Sequence, residues 1–267
     1  MLRKLIKHEF RATARVMGPL FLIILVLALT ANLSIHFLLE AQGFFANLMG
    51  GLLLFAFGIG MVAVAIISIV LMVERFRSNL MGDEGYVMFT LPVSGHQLVW
   101  SKIIVSTVWF IATTVVEALA MLVCVFDQKL LREIFSSAFF LRFFDGVQEL
   151  VAEFGLNLPM MAVELIALTF LACAVLCLQF YASIALGHSF ANHKSGLSVL
   201  FFFAFQFVTQ LVGGLFANTD FFTGLFNIGG MNSFHLLMSV LICMELLNGG
   251  IFYAFTSVTL KKRLNLQ

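Results

Sequence analysis

Six long apolar stretches, separated by polar segments, dominate the hydrophobic pattern of this chain. Each stretch is longer than the roughly 20 residues that a helix needs to cross a bilayer. Strands of a β-barrel would instead appear as short segments of alternating hydrophobicity. The pattern predicts an all-α membrane protein, with residues 1–267 forming a single transmembrane domain. The six predicted spans are Gly18–Leu39, Asn47–Val73, Val99–Phe126, Leu158–Leu186, Gly196–Ala217 and Ser233–Leu260.

Composition agrees with lipid as the main solvent of the chain. Hydrophobic residues make up 61% of the sequence and charged residues only 11%, whereas a soluble domain has about 25% charged residues. A soluble protein of this composition would leave too much apolar surface in water. Membrane lipids are therefore expected partners, and no nucleic acid is expected.

The basic residues predict the orientation of the spans, because cytoplasmic loops carry an excess of Lys and Arg. With both termini inside the cell, twelve of the fifteen Lys and Arg residues lie on the cytoplasmic side. The outer side then keeps Lys129, Arg132 and Arg142. We therefore expect a multi-pass protein with both termini in the cytoplasm.

Residues 1–17 have the pattern of an amphipathic helix that lies at the membrane interface ahead of the first span. We expect Gly18 and Pro19 to break this helix, so that the first span can turn upright. The predicted apolar face contains Leu2, Leu5, Ile6, Phe10, Thr13, Val16 and Met17. The predicted basic face contains Arg3, Lys4, Lys7, Arg11 and Arg15.

The extracellular loop between spans three and four, residues 127–157, is also amphipathic. It combines acidic and basic residues with a cluster of phenylalanines, which suits one or two helices lying on the outer leaflet. Two roles remain open for this loop: a cap that packs on neighbouring spans, or a segment that handles a substrate.

The sequence contains no recognisable catalytic or metal-binding motif. It has no G-x-x-x-x-G-K-[ST] phosphate-binding loop. His8-Glu9 begins like a zinc-binding H-E-x-x-H motif, but Ala12 stands where the second histidine is needed. Cys173 and Cys177 share a helix face without His or carboxylate partners nearby, so they are better explained as small buried residues. We therefore expect neither an enzyme nor a metal site.

Three glutamates interrupt the apolar spans: Glu117, Glu164 and Glu245. A charge near the centre of a span is costly, so such residues usually face the interior of a helix bundle or a cavity. They are candidates for a translocation path, or for hydrogen bonds between helices that fix the bundle. Gln179, Gln206, Gln210 and His235 add further polar atoms within the apolar runs.

The loop after span two, residues 75–98, contains the segment GDEGYVMFTLPVS at residues 82–94. Asp83 can cap a short helix, and Glu84 in its first turn is stabilised by the helix dipole. Pro92 ends the helix because it disfavours the helical conformation of the preceding residue. Ser94 can then cap the third span. The segment predicts a cytoplasmic helix of about two turns.

Tyr86 and Phe89 lie on one side of this short helix. Exposed aromatic side chains beside charges are typical of a surface that docks a partner. A helix that lies at the lipid headgroups would use the same side chains, so both interpretations stay open on the residues alone.

The stretch RFRSNLMGDEGYVMFTLPVSGHQLVWSKII resembles the segment after the second span in permease subunits of ABC-2 type exporters from bacteria. In that family an acidic cap and a GY…FTLPVS…SK pattern lead into the third span. The six-span layout and the basic amphipathic helix ahead of span one extend the resemblance to most of the chain.

The resemblance implies that the short helix is a coupling helix, which docks on a separate ATP-binding subunit. Its contacts would come from Asp83, Glu84, Gly85, Tyr86 and Phe89, with Pro92 setting the geometry. ATP and Mg²⁺ would then bind to the partner subunit, and this chain would hold no cofactor. A second permease chain, identical or different, would complete the exporter in the bacterial plasma membrane. The apolar composition favours an amphipathic or hydrophobic peptide or antimicrobial as cargo.

A second interpretation is a secondary transporter driven by protons that bind to the intramembrane glutamates. Such transporters often contain inverted repeats, and this sequence shows none.

Overall fold

The computed structural model describes residues 2–41, 43–82, 84–90, 93–127, 132, 136–154, 157–190, 192–218, 224 and 233–262. These residues form helices and short connections and contain no β-strand. The helices are α1 (Leu2–Leu33), a π-helical segment (Ser34–Leu38), α2 (Phe44–Met81), α3 (Glu84–Thr90), α4 (Gly95–Val125), α5 (Ser137–Phe154), α6 (Leu158–Gly187), α7 (Lys194–Asn218) and α8 (Ser233–Lys262).

Six of these helices are long and apolar enough to cross a membrane: α1 with the π-helical segment, α2, α4, α6, α7 and α8. Each covers one of the six apolar stretches found in the sequence, either completely or to within one residue of its end. The prediction of an all-helical chain with six candidate spans is therefore confirmed, which indicates a multi-pass membrane protein.

The expected break at Gly18 and Pro19 is wrong, because α1 runs without interruption from Leu2 to Leu33. Proline within a helix removes one backbone hydrogen bond and crowds the preceding turn. Packing on both sides of Pro19 offsets this cost, since the Trp109 ring contacts Phe10 before the proline and Phe21 after it. The corresponding ring centroids are 5.8 and 5.9 Å apart. The residues predicted as a separate interfacial helix are thus the first turns of a longer helix that is itself a candidate span, and their five basic side chains are exposed.

The chain divides into two compact units, of which the first comprises Met1–Met72 and Val108–Phe140. Its core joins α1, α2 and α4 through small and medium-sized side chains, which are Ile24, Ala28, Ala31, Phe57, Val64, Ala120 and Cys124. Asn32 donates to the carbonyl oxygens of Cys124 at 3.1 Å and Phe126 at 2.7 Å. These bonds satisfy backbone acceptors at the end of α4 that have no partner within the helix.

The second unit comprises Val73–Thr107 and Leu141–Gln267. Helix α6 packs against both α7 and α8 in this unit. The side chain of Asn157 caps α6 by accepting the Met160 N–H at 3.3 Å. Ser94 caps α4 in the same way, because its Oγ accepts the Gln97 N–H at 3.3 Å. The predicted capping role of Ser94 is confirmed.

Helix α5 lies within the predicted amphipathic loop, although residues 128–131, 133–135 and 155–156 of that loop are outside the described residues. Its side chains at Phe139, Phe140, Phe143 and Phe144 are exposed. The loop is therefore helical in this part, and its position on the outer leaflet stays a prediction.

Candidate functional site

Helix α3 is a seven-residue helix at the position where the sequence predicts two helical turns. Glu84 in its first turn is exposed, whereas Gly85 is buried. The Gly85 N–H donates to the Gly82 carbonyl at 2.9 Å, which fixes the entry into the helix. Asp83 and Pro92, two more of the predicted site residues, lie outside the described part of the chain. The backbones of Tyr86 and Phe89 are described as part of α3, but their side chains are not.

A polar cleft of about 480 Å³ opens beside α3. It lies where α2 ends, α3 begins, α6 ends and α7 begins. Its charged and polar lining includes Glu74, Arg77, Ser78, Glu84, His188 and Lys194. Two carboxylates, two basic groups and an imidazole thus converge at four helix ends, a combination that is absent from any short stretch of the sequence.

Arg77 and Glu74 form a bidentate ion pair within α2. The Nε of Arg77 donates to Glu74 Oε2 at 3.0 Å, and its Nη2 donates to Oε1 at 2.9 Å. Both side chains remain about half exposed, and exposed pairs of this kind contribute at most about 1 kcal/mol to stability. The pair therefore serves mainly to hold the guanidinium at the wall of the cleft.

His188 follows the last residue of α6, and both its backbone and its ring bond to that helix. Its N–H donates to the Ile184 carbonyl at 3.0 Å, and ring Nδ1 donates to the same oxygen at 2.9 Å. Burial lowers the pKa of His188, and the positive charges of Lys194 and Arg77 lower it further. Burial and the two nearby cations thus favour the neutral form of this imidazole, against the opposing effect of its bond to the Ile184 carbonyl.

Glycine at position 187 is required by the close approach of α6 and α7. A Cβ at this position would overlap Ser198 and come within 2.8 Å of the Lys194 carbonyl. His193, just before α7, adopts φ = 56°, a left-handed conformation that is uncommon for non-glycine residues. This tight connection places His188 and Lys194 on the same cleft.

A second polar cluster joins the start of α4 to the end of α8. Lys261 Nζ donates to His96 Nε2 at 3.0 Å, so the proton of a neutral imidazole is on Nδ1 and is donated to the Tyr253 hydroxyl. The Trp100 ring lies against Tyr253, with centroids 5.8 Å apart. The helix that follows α3 is thus anchored to α8 by polar and aromatic contacts.

The three intramembrane glutamates are divided between the two units. Glu117 is in the first unit, and its Oε1 is enclosed without a hydrogen-bond partner among the described residues. Glu164 and Glu245 are in the second unit, on α6 and α8. Glu245 is ten residues beyond His235 on α8, which corresponds to about 15 Å along the helix. Glu164 contacts His235, so Glu245 belongs to a different level of the bundle.

Glu164 and His235 form a buried pair between α6 and α8. His235 Nδ1 lies 2.8 Å from Glu164 Oε2, while His235 Nε2 accepts the backbone N–H of Asn157 at 3.0 Å. Because Nε2 is an acceptor, Nδ1 carries the proton and donates it to the carboxylate. Glu164 Oε1 is buried and has no partner among the described residues. The sequence singled out both residues as polar atoms in apolar runs but did not pair them.

Gln179 and Gln206 provide another polar contact within the apolar spans. The Nε2 of Gln179 donates to Gln206 Oε1 at 3.0 Å and links α6 to α7. This contact matches the interhelical hydrogen bonding that was one of the two expectations for polar residues in these runs.

Among the described residues, no group of three or more His, Cys, Asp or Glu side chains is placed to hold a metal ion. No protein family, curated protein or solved structure matches the chain. The interpretation of the site therefore depends on the residues quoted above and on their geometry.

Proposed function

We propose that this chain is the membrane-spanning permease subunit of an ATP-driven exporter and that α3 is the element that docks on a separate ATP-binding subunit. The observation that carries the proposal is the placement of α3 between two candidate spans. Two residues separate it from α2 and four separate it from α4. With such short connections, a displacement of α3 must move the adjoining ends of both spans.

The packing of the two spans that flank α3 in the chain supports a transmitted movement. Phe76, near the end of α2, stacks on Tyr181 of α6, and the Tyr181 hydroxyl lies 2.6 Å from Ser106 Oγ of α4. All three residues are buried. A rigid contact of this kind passes motion between helices because packed interiors deform little.

In this proposal ATP and Mg²⁺ bind to the partner subunit, and the free energy of hydrolysis reaches this chain through α3. A second permease chain completes the translocation path in the bacterial plasma membrane, with both termini of this chain in the cytoplasm. The cargo is an amphipathic or hydrophobic peptide or antimicrobial, because the spans carry few charges. The resemblance of residues 75–104 to ABC-2 type permeases supports the same assignment.

Purification from native membranes with mass spectrometry tests the partnership, since an ATP-binding subunit should accompany the chain. The double variant Tyr86→Ala/Phe89→Ala should then retain membrane insertion but lose export, while the ATPase activity of the complex persists. A matched control is Phe44→Ala/Phe45→Ala, which removes two exposed rings at the start of α2 and should leave export unchanged. Full export by the α3 variant with its partner present would refute the docking assignment.

The Glu164–His235 pair favours a second candidate function, a proton-coupled secondary transporter. A buried carboxylate that accepts from an imidazole on a neighbouring helix can exchange a proton when the helices separate. Liposomes containing this chain alone should then move substrate under a pH gradient, and Glu164→Gln should abolish that flux. Export that needs the ATP-binding subunit and survives Glu164→Gln would exclude this second candidate.

A further inference from the structure

The polar cleft beside α3 adjoins a second, more apolar cavity in the second unit, and the two together form a groove. Its deeper part, between α2, α6 and α7, has a volume of about 250 Å³. This deeper part and the polar cleft share Glu74, Arg77 and His188. We call the combined cavity the α2–α6–α7 groove. It has a charged mouth at the helix ends and an apolar interior.

The mouth of the groove carries charges of both signs. Arg77 and Lys194 supply the positive groups, and Glu74 and Glu84 supply the negative ones. The mouth therefore complements a ligand that carries an anionic and a cationic group close together.

The interior of the groove is lined by aromatic and aliphatic side chains. The rings of Phe180 and Phe202 stack with centroids 4.5 Å apart, and Val199 is 57% exposed beside them. Phe180 is eight residues before His188, and Phe202 is eight residues after Lys194. Eight helical residues rise about 12 Å, so the stacked rings lie about 12 Å below the mouth. A lipid headgroup and the upper part of an acyl chain span a similar distance.

Polar side chains in the interior are already engaged by their own helices. Ser183 Oγ donates to the Gln179 carbonyl at 2.7 Å, and Ser198 Oγ donates to the Lys194 carbonyl at 2.9 Å. The hydroxyl protons of Ser183 and Ser198 are thus already in use, so the carbonyl oxygens of a peptide backbone placed there would lose hydrogen bonds to water without regaining them from these two serines, which is costly. An acyl chain needs no such partners. The interior therefore favours a lipid tail over a peptide.

We propose that the α2–α6–α7 groove binds a zwitterionic phospholipid with a primary ammonium group, taken from the membrane leaflet on the α3 side. The phosphate lies near Arg77 and Lys194, and the ammonium lies near Glu74 and Glu84. One acyl chain lies along Phe180, Val199 and Phe202. This inference concerns the chain alone and does not depend on the exporter assignment or on a partner subunit.

Native mass spectrometry of the full chain in detergent, titrated with dioctanoyl phosphatidylethanolamine, tests the proposal. The wild type should bind one such lipid saturably. Arg77→Gln/Lys194→Gln should weaken binding about tenfold, since two charge-assisted contacts to the phosphate are lost. Dioctanoyl phosphatidylglycerol should bind about tenfold more weakly than phosphatidylethanolamine, because its headgroup lacks the ammonium. Inorganic phosphate should not displace the lipid.

A second variant tests the acyl end without changing charge. Val199→Trp fills the interior from an exposed position, so the helices should fold as in the wild type and lipid binding should fall about tenfold. Its matched control is Val208→Trp on the same helix, because Val199 and Val208 are each 57% exposed and Val208 lines a different cavity. The control should bind lipid like the wild type.

Several results would overturn the proposal. They are unchanged lipid binding in Arg77→Gln/Lys194→Gln and in Val199→Trp, equal affinity for the two headgroups, and displacement of the lipid by inorganic phosphate. A further contradicting result would come from an amphipathic peptide that displaces the lipid from the wild type but does not bind to Val199→Trp. Such a peptide would identify the groove as a peptide site and overturn the lipid assignment.

Discussion

Phe76 stacks face to face on Tyr181, with ring centroids 4.0 Å apart and ring planes 7° from parallel. Both side chains are almost completely buried. The stack joins the last turns of α2 to α6. Its neighbour Ser106 extends the contact to α4 through the Tyr181 hydroxyl.

Replacing Phe76 by alanine should destabilise the second unit strongly. Removal of a buried phenylalanine leaves a cavity and typically costs about 3–5 kcal/mol in the free energy of unfolding. Tyr181→Phe keeps the ring and removes the hydroxyl that bonds to Ser106, so its cost in the free energy of unfolding should be about 1 kcal/mol. Denaturant unfolding in detergent micelles measures both changes. Equal losses of unfolding free energy in the two variants would show that the aromatic stack contributes no more to stability than the hydroxyl does.

The Glu164–His235 pair should show strong energetic coupling. Glu164→Ala leaves the imidazole N–H unpaired in a buried site, and His235→Phe leaves the carboxylate unpaired, so each variant should cost about 1–3 kcal/mol. The double variant should cost less than the sum of the single ones, because neither unpaired group remains. A double-mutant cycle measures this difference, for which we expect about 0.5–3 kcal/mol. Strict additivity would mean that the two side chains act independently.

Substitution of the two glycines around the α6–α7 connection should have opposite effects. Gly187→Ala forces a Cβ into Ser198 and toward the Lys194 carbonyl, so we expect a loss of about 1–3 kcal/mol. Gly196→Ala places its Cβ in open space and restricts the unfolded chain, which should stabilise the protein by about 0.4–1 kcal/mol. Thermal unfolding of the two variants in the same detergent compares them. Because backbone atoms also crowd position 187, Ser198→Ala should not rescue Gly187→Ala.

His188 should make stability depend on pH below neutrality. Its pKa is lowered in the folded protein, by burial first and then by Lys194 and Arg77. A depressed folded pKa means that the stabilisation is fully present above the unfolded value of about 6.5 and is lost as the pH falls through the folded pKa. The unfolding temperature of the wild type should therefore fall more between pH 8 and pH 5 than that of His188→Gln. Lys194→Met removes one cause of the lowered pKa of His188 and should reduce the pH dependence of the unfolding temperature. The control His8→Gln, at an exposed position of α1, should have the same pH dependence as the wild type.

The candidate spans could be predicted from the sequence because a run of apolar residues is a local property that lipid solvation alone requires. The cap at Ser94 could be predicted for the same reason, since capping depends on the next three residues. The short helix before it was also found from local signals, namely an acidic first turn and the proline at position 92.

The contacts between helices could not be predicted from one sequence. Glu164 and His235 are 71 positions apart, and Lys261 and His96 are 165 positions apart, so no spacing rule connects them. The polar cleft is a further example, because its lining comes from four helix ends. The expected break at Pro19 failed because a local rule was outweighed by Trp109, a residue distant in sequence that packs on both sides of the proline.

The continuity of α1 changes where the amino-terminal charges lie relative to water. The helix contains 32 residues and is therefore about 48 Å long, whereas the hydrocarbon core of a bilayer is about 30 Å thick. A helix of this length must extend well beyond the lipid tails at one or both ends, and the apolar run from Leu20 to Leu33 keeps the carboxyl end within them. In a bilayer, the exposed side chains of Arg3, Lys4 and Lys7 would then lie beyond the lipid tails, within reach of a water-soluble protein as well as of the lipid phosphates.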